Sequence, residues 1–95
     1  MEACLDAAQQ AVDRLEEALD AYEGARKGVK ALFDYYGSGQ WMRDYEADEA
    51  GRLPADLKRG VLSEDAVYNL IVRNRELGVR MLRMVAAGLE NNTMT

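Results

Sequence analysis

Residues 3–36 read ACLDAAQQAVDRLEEALDAYEGARKGVKALFDYY, and this stretch decides the fold class. Apolar residues recur here in alternating steps of three and four, the a/d pattern of a helix that packs against other helices. The series is Leu5, Ala8, Val12, Leu15, Leu19, Tyr22, Val29, Phe33 and Tyr36, with Arg26 as its one polar member. The pattern predicts a long helix over about 3–36, and Gly37 is expected to end it as a left-handed cap.

A second long helix is predicted at about 64–89. Ser63 is a favourable N-cap, and Glu64 and Asp65 place negative charge at the positive end of the helix dipole. Leu62 before the cap and Val67 after it form a hydrophobic staple. The expected buried face is Val67, Leu70, Ile71, Asn74, Leu77, Met81, Leu82, Val85 and Leu89. Gly88 and the polar residues that follow it predict a frayed end.

The connector between these helices is too long to be a structureless loop in a compact domain. Ser38 is expected to cap a short helix that begins at Gln40 and ends near Gly51. A further turn is expected at 56–59, stopped by Gly60.

The predicted fold is all-α, a single domain over 1–95 in which the two long helices form an antiparallel hairpin. Residues 1–23 hold seven acids and one base, whereas residues 73–90 hold four arginines and two glutamates. An antiparallel pair would place the acidic start of the first helix beside the basic end of the second. Two helices cannot bury so wide an apolar stripe, which favours a dimer arranged as a four-helix bundle.

Composition narrows the classes of partner. The chain carries 17 acids against 12 bases, a net charge of −5, which disfavours nucleic acid and anionic membranes as partners. No stretch approaches the roughly 18 apolar residues of a membrane span, and the acidic N-terminus has no apolar signal core. Cys4 is the single cysteine, so an internal disulfide cannot form. These features predict a cytoplasmic protein.

Nothing in the sequence indicates an enzyme, a cofactor or a metal site. Histidine, the usual general base and the commonest metal ligand, is absent. The acidic run at 44–49 begins like a calcium loop, but Glu49 stands where the turn needs glycine and Ala55 where a bidentate Glu is required. A solvated helix face explains the run better. Cys4 has no neighbouring base to activate its thiol.

Two other groups of residues allow a binding or a structural interpretation. Trp41 and Tyr45, with the tyrosines before Gly37, could line an aromatic pocket or plug the core, and the core interpretation is favoured. Lys58 and Arg59, near the predicted start of the last helix, could bind an anion or lie on a solvated turn, and the turn is favoured.

Three central segments resemble a small bacterial family known as domain of unknown function 4298. They are YYGS at 35–38, WMRDYEADEAG at 41–51 and LPADLKRGVLSED at 53–65. The resemblance covers essentially the whole chain and implies a bacterial cytoplasmic protein with two long helices around a central signature. It implies no activity. It directs the search for a binding surface to the signature residues Trp41, Asp44, Asp48, Lys58 and Arg59. The alternative is that an irregular connector needs these residues for its own structure.

The sequence therefore leaves two functional hypotheses. The first is an interaction or structural module that pairs with itself, or with another protein, through an apolar helix face. The alternative is a small-ligand-binding or enzyme-accessory domain that uses the connector at 38–63. Nucleic-acid binding through the arginines of the last helix is a weaker third option, which the net charge opposes.

Overall fold

A computed structural model describes residues 1–63 and 65–94. Over that range the chain forms three α-helices and one short 3₁₀ helix, and it contains no β-strand. Helix α1 spans Glu2–Gly37, α2 spans Gln40–Glu49, the 3₁₀ helix spans Gly60–Leu62 and α3 spans Ala66–Glu90. The all-α class, the two long helices and a structured connector are confirmed.

The described residues divide into a first unit, Met1–Asp34, and a second unit from Tyr35 onward. The first unit is the bulk of α1, a continuous helix that runs through Gly24 and Gly28. None of its side chains is buried. The stripe is exposed from Leu5 to Tyr22, with Val12 at 64%, whereas Val29 and Phe33 are half-buried. The first unit is thus an amphipathic helix without an interior of its own.

The turn from α1 into α2 is made at Gly39. Gly39 has the left-handed φ of 85°, whereas Gly37 is the last helical residue of α1 and is not left-handed. The prediction that Gly37 is a left-handed cap was therefore wrong, because the left-handed residue is Gly39, immediately before α2. Ser38 Oγ donates to the carbonyl of Tyr35 (2.8 Å) and accepts from the N–H of Gln40 (3.3 Å). The prediction that Ser38 is the N-cap of α2 was wrong, because Gly39 holds that position. Ser38 instead links the end of α1 to the start of α2 through these two hydrogen bonds.

The end of α2 near Gly51 is confirmed. Gly51 adopts a φ of 71°, and its N–H donates to the carbonyl of Asp48 at 3.0 Å. The next N–H, from Arg52, donates to the carbonyl of Ala47 at 2.9 Å. This pair of hydrogen bonds around a left-handed glycine is a Schellman motif, which satisfies the last carbonyls of the helix.

Two boundaries between α2 and α3 differ from the prediction. The turn lies at 54–57, closed by the N–H of Leu57 on the carbonyl of Pro54 (3.2 Å), and Gly60 begins the 3₁₀ helix rather than stopping a turn. Ser63 is extended and closes that 3₁₀ helix, so Ser63 as the N-cap of the last helix was wrong. Helix α3 starts about two residues later because the 3₁₀ helix occupies the preceding backbone. Glu64 lies outside the described residues.

The end of α3 is an ordered cap rather than the expected fraying. Asn92 has a φ of 59°, and its N–H donates to the carbonyl of Leu89 at 3.3 Å. The N–H of Thr93 donates to the carbonyl of Gly88 at 2.7 Å, which completes a second Schellman motif. The side chain of Met94 lies over Gly88, where a Cβ would collide with it. Glycine at this position lets the terminal loop fold back onto the helix.

The buried apolar core of the described residues is small and belongs to the second unit. It consists of Trp41 from α2, Leu62 from the 3₁₀ helix and Val67 from the first turn of α3, each at most 6% exposed. The 3₁₀ helix contacts both α2 and α3. Leu62 and Val67 are both buried, but the predicted hydrophobic staple was wrong, because with Asp65 as the N-cap these residues do not occupy its two positions.

The predicted buried face of α3 is mostly exposed. Val67 is its buried member, Ile71 and Asn74 are half-buried, and the remaining predicted positions are exposed. The burial prediction was wrong for this chain because the core of the second unit covers only the first turn of α3. The antiparallel pairing of the long helices and the dimeric bundle stay predictions.

Candidate functional site

Trp41 is the centre of the connector. Its indole N–H donates to the carbonyl of Val61 at 2.6 Å, which ties α2 to the 3₁₀ helix twenty residues away. Tyr45 stacks on the ring at a centroid distance of 5.2 Å and an interplanar angle of 16°. Tyr36 meets the same ring at 4.9 Å in a tilted arrangement. Because tyrosines and backbone occupy its surroundings, Trp41 fits the core alternative better than a ligand pocket.

Asp44 joins the end of α1 to α2. The Tyr35 hydroxyl donates to Asp44 Oδ2 at 2.6 Å, and the side-chain amide of Gln40 donates to Oδ1 at 2.7 Å. Arg43 in turn donates to Gln40 Oε1 at 2.9 Å. Both carboxylate oxygens are therefore engaged in a network that spans the turn at Gly39.

This network shifts the pKa values of both partners. The hydrogen bond from Tyr35, followed by that from Gln40, holds the pKa of Asp44 below its ordinary value. The same hydrogen bond, with partial burial and the negative charge of Asp44, raises the pKa of Tyr35 to about 12. The arrangement stabilises an ionised Asp44 beside a protonated Tyr35. It is not a poised acid–base pair at neutral pH.

Asp48 and Arg59 join the loop to α2. Arg59 Nε donates to Asp48 Oδ1 at 2.5 Å, and the guanidinium extends this ion pair into a larger network. Its remaining donors reach three carbonyls within 3.1 Å, those of Pro54, Ala55 and Leu57. The planar guanidinium fork holds the loop in one conformation, which the single point charge of lysine could not reproduce.

Lys58 differs from the other four predicted signature residues. It is exposed, and the described part of the chain offers it no hydrogen bond or ion pair. The structure thus brings Asp48 and Arg59 together, gives Trp41 and Asp44 separate partners, and leaves Lys58 apart. A binding role for the five residues stays a prediction, whereas a structural role for four of them follows from their contacts.

A feature that the sequence analysis missed lies on α3. A shallow groove of about 560 Å³ is lined by residues of this helix alone: Ile71, Val72, Arg75, Glu76, Val79, Arg80 and Arg83. The seven-residue spacing of Val72 and Val79 could have revealed it as a second apolar strip. The wider stripe through Leu70, Leu77 and Met81 dominated the periodicity and masked this weaker signal.

Comparison with known proteins identifies the chain at the level of its family. Residues 1–84 match the protein-family model described as Domain of unknown function (DUF4298). The chain belongs to this family. The match confirms the resemblance inferred from the central segments of this DUF4298 protein. The searches of curated proteins and of solved structures each returned no match.

Within the described residues of the DUF4298 chain, no group of three or more Cys, Asp or Glu side chains is placed to hold a metal ion. In the acidic run 44–49, Asp44 and Asp48 are bound to different internal partners. Cys4 is exposed as a free thiol. Over the same described range, no helix combines the length and the apolar character that crossing a bilayer requires.

Proposed function

We propose that this DUF4298 protein is a helical interaction module that self-associates in the bacterial cytoplasm through the apolar faces of its long helices. One observation carries the proposal: apolar side chains that follow helical periodicity are exposed along both α1 and α3. On α3 they include Leu70, Leu77, Met81, Leu82, Val85 and Leu89, with Leu82 reaching 72% exposure. On α1 they include Leu5, Val12, Leu15, Leu19 and Tyr22.

Exposed apolar rows of this length favour association. Single exposed leucines are ordinary on protein surfaces, but a continuous periodic row is typical of a surface that packs against another helix. Burying the exposed half of one such side chain contributes on the order of 1 kcal/mol. Several residues along each helix together can offset the roughly 4–15 kcal/mol that association costs in lost freedom of motion.

A homodimer that forms a four-helix bundle is the simplest assembly of this kind. A two-fold axis lets one surface serve both copies, so a single set of residues is sufficient. Ala11, Ala18 and Ala25 flank the stripe of α1 and allow a neighbouring helix to approach closely. The heptad spacing of that stripe supports packing in the manner of a coiled coil.

The test is the mass of the full chain in solution, measured by sedimentation equilibrium over a wide concentration range. We expect a reversible dimer that Leu15→Asp weakens, because a buried carboxylate without a partner opposes packing. Gln10→Asp is the matched control, since residue 10 lies on the outer face of the same helix, away from the stripe. A monomeric mass at every concentration would refute self-association. It would leave a different protein as the partner of these faces.

The alternative function, a small-ligand or enzyme-accessory domain that uses the connector at 38–63, stays a prediction. The internal hydrogen bonds of Asp44, Asp48 and Arg59 occupy groups that a ligand would need. Lys58 remains exposed in that segment. Among the described residues, the side-chain contacts given above for the connector are internal to it or join it to the end of α1, and they do not favour this function over the first one.

A further inference from the structure

The groove on α3 combines apolar and cationic groups. Ile71, Val72 and Val79 supply its apolar surface. Its positive charge comes from Arg75, Arg80 and Arg83, with Glu76 as the single acid. Among the described residues of the second unit, the salt bridge is that of Arg59 with Asp48, and it involves none of the groove arginines. An apolar strip edged by unneutralised arginines fits an acidic amphipathic helix.

Helix α3 presents two distinct faces. At about 100° per residue, Val72 and Val79 lie on the side of the helix roughly opposite Asn74, which is near the middle of the wide apolar stripe. Helix α1, in contrast, has a single apolar stripe. The single stripe of one α1 helix can pack against only one of these two faces at a time, and a dimer brings a second α1 helix.

Apart from Glu17, the acids of α1 lie on one side of its stripe. With Leu5 at heptad position a, Glu16 and Glu23 occupy position e, and Asp13 and Asp20 occupy the adjoining position b. Alanines occupy the opposite flank. Among the described residues of the first unit, the salt bridge is between Lys30 and Asp34, so it neutralises none of these four acids. Helix α1 thus has an apolar stripe with an acidic edge.

We propose that the groove on α3 binds the acidic edge of α1 from a second copy of the chain, an inference that rests on the self-association proposed above. The spacing of the charges agrees with it. Glu16 and Glu23 are seven residues apart, about 10.5 Å along a helix, and Arg75 and Arg83 are eight apart, about 12 Å. Each α3 helix in the dimer then contacts an α1 helix of the other copy.

Charge reversal tests the identity of the occupant. One variant carries Glu16→Lys and Glu23→Lys, and the other carries Arg75→Glu and Arg83→Glu. Each variant alone places like charges together across the interface. We expect the dissociation constant of its dimer to be at least about tenfold higher than that of the unmodified dimer. In an equimolar mixture, a heterodimer pairs both reversed edges with oppositely charged partners. Native mass spectrometry separates it from the two homodimers by mass.

The control carries Arg52→Glu and Lys58→Glu in the connector, which changes the charge as the arginine variant does, but at residues that do not line the groove. It should dimerise as the unmodified chain does. Circular dichroism establishes that each variant keeps its helices. If a reversed variant loses its helices, the milder changes to Gln at the same two positions replace it, and they should weaken the dimer less.

The outcomes separate this inference from the proposed function. Dimers that resist both charge reversals would remove the groove from the interface while self-association stands. Weakened dimers that mixing does not restore would place the charge pairing within one chain and overturn the second copy as the occupant. A monomeric unmodified chain would refute both proposals. Restoration of the dimer only in the mixture is the result we expect.

Discussion

Several side chains of the connector have partners within their own unit, whereas many of those on the long helices are exposed. In the connector, Trp41 is buried between two tyrosines and a carbonyl, and Asp44 and Arg59 are bound to partners within the same unit. Along α1 and α3, apolar rows and arginines remain exposed to solvent. A region whose groups are already paired has little left with which to bind. The contrast therefore directs the search for function from the signature segment to the helix faces.

The largest expected effect is the loss of the connector core. Trp41→Ala removes both ring contacts and the hydrogen bond to Val61, and it should lower the free energy of unfolding by about 3–5 kcal/mol. Urea denaturation followed by circular dichroism measures the change. Met42→Ala, at the adjacent and exposed position, should cost less than about 1 kcal/mol. Equal costs for the two variants would mean that the connector is not held by its own core.

The next largest effect is the difference in stability cost between substitutions at Arg59 and at its neighbour Lys58. Arg59→Ala leaves Asp48 and three carbonyls without their donor, and we expect a loss of about 1–3 kcal/mol in the free energy of unfolding. Lys58→Ala should stay within about 0.5 kcal/mol of the unmodified chain. A stability loss at Lys58 as large as that at Arg59 would contradict the structural distinction between them.

Glycines of the two regions should respond with opposite signs. Gly51→Ala forces a side chain into the left-handed region that the Schellman motif requires, which should cost about 1 kcal/mol. Gly28→Ala enters open space on a regular helix, and it should stabilise α1 by roughly 0.5–1 kcal/mol. Paired urea titrations measure both changes. A destabilising Gly28→Ala would indicate that a helix packs closely against this position in the assembled protein.

The smallest expected effect is a pH dependence at the α1–α2 turn. The folded-state pKa of Asp44 is lowered, so its stabilising contribution is present at neutral pH and is lost as the pH falls through that value. The pKa of Tyr35 is raised to about 12, so its contribution is present below about 10 and is lost as the pH rises toward 12.

Tyr35→Phe should reduce the loss of stability at acidic pH that comes from Asp44, and it should abolish the loss at alkaline pH that comes from Tyr35. Urea denaturation at a series of pH values measures the free energy of unfolding. Tyr68→Phe on α3 leaves the hydrogen bond to Asp44 intact and should preserve both losses. An unchanged pH profile in Tyr35→Phe would show that this hydrogen bond does not couple to folding.

The elements with strong periodicity were predictable from sequence. The heptad stripe placed α1 within one residue of its observed ends, because nine regularly spaced apolar positions leave little freedom. The end of α2 followed from Gly51. The start of α3 could not be predicted from Ser63. A favourable capping residue does not show that it ends a 3₁₀ helix instead of starting the next α-helix.

The interactions of the candidate site were less predictable. The resemblance to the family selected Trp41, Asp44, Asp48 and Arg59, but not the partners that hold them. Those partners are brought close by the left-handed turn at Gly39 and by the loop before the 3₁₀ helix, which no periodicity encodes. The groove was missed for a different reason. Its two valines form a short strip on a helix whose other face carries a stronger one.

The position of the single tryptophan has a spectroscopic consequence. Its indole lies under Tyr45 with its N–H on a carbonyl, so its fluorescence emission reports the state of the connector. Far-ultraviolet circular dichroism, in contrast, is dominated by α1 and α3, which hold most of the helical residues. The unmodified chain therefore carries two separate optical signals, one for each region. Coincident unfolding curves would establish a single cooperative transition, and separated curves would resolve the two regions without any added label.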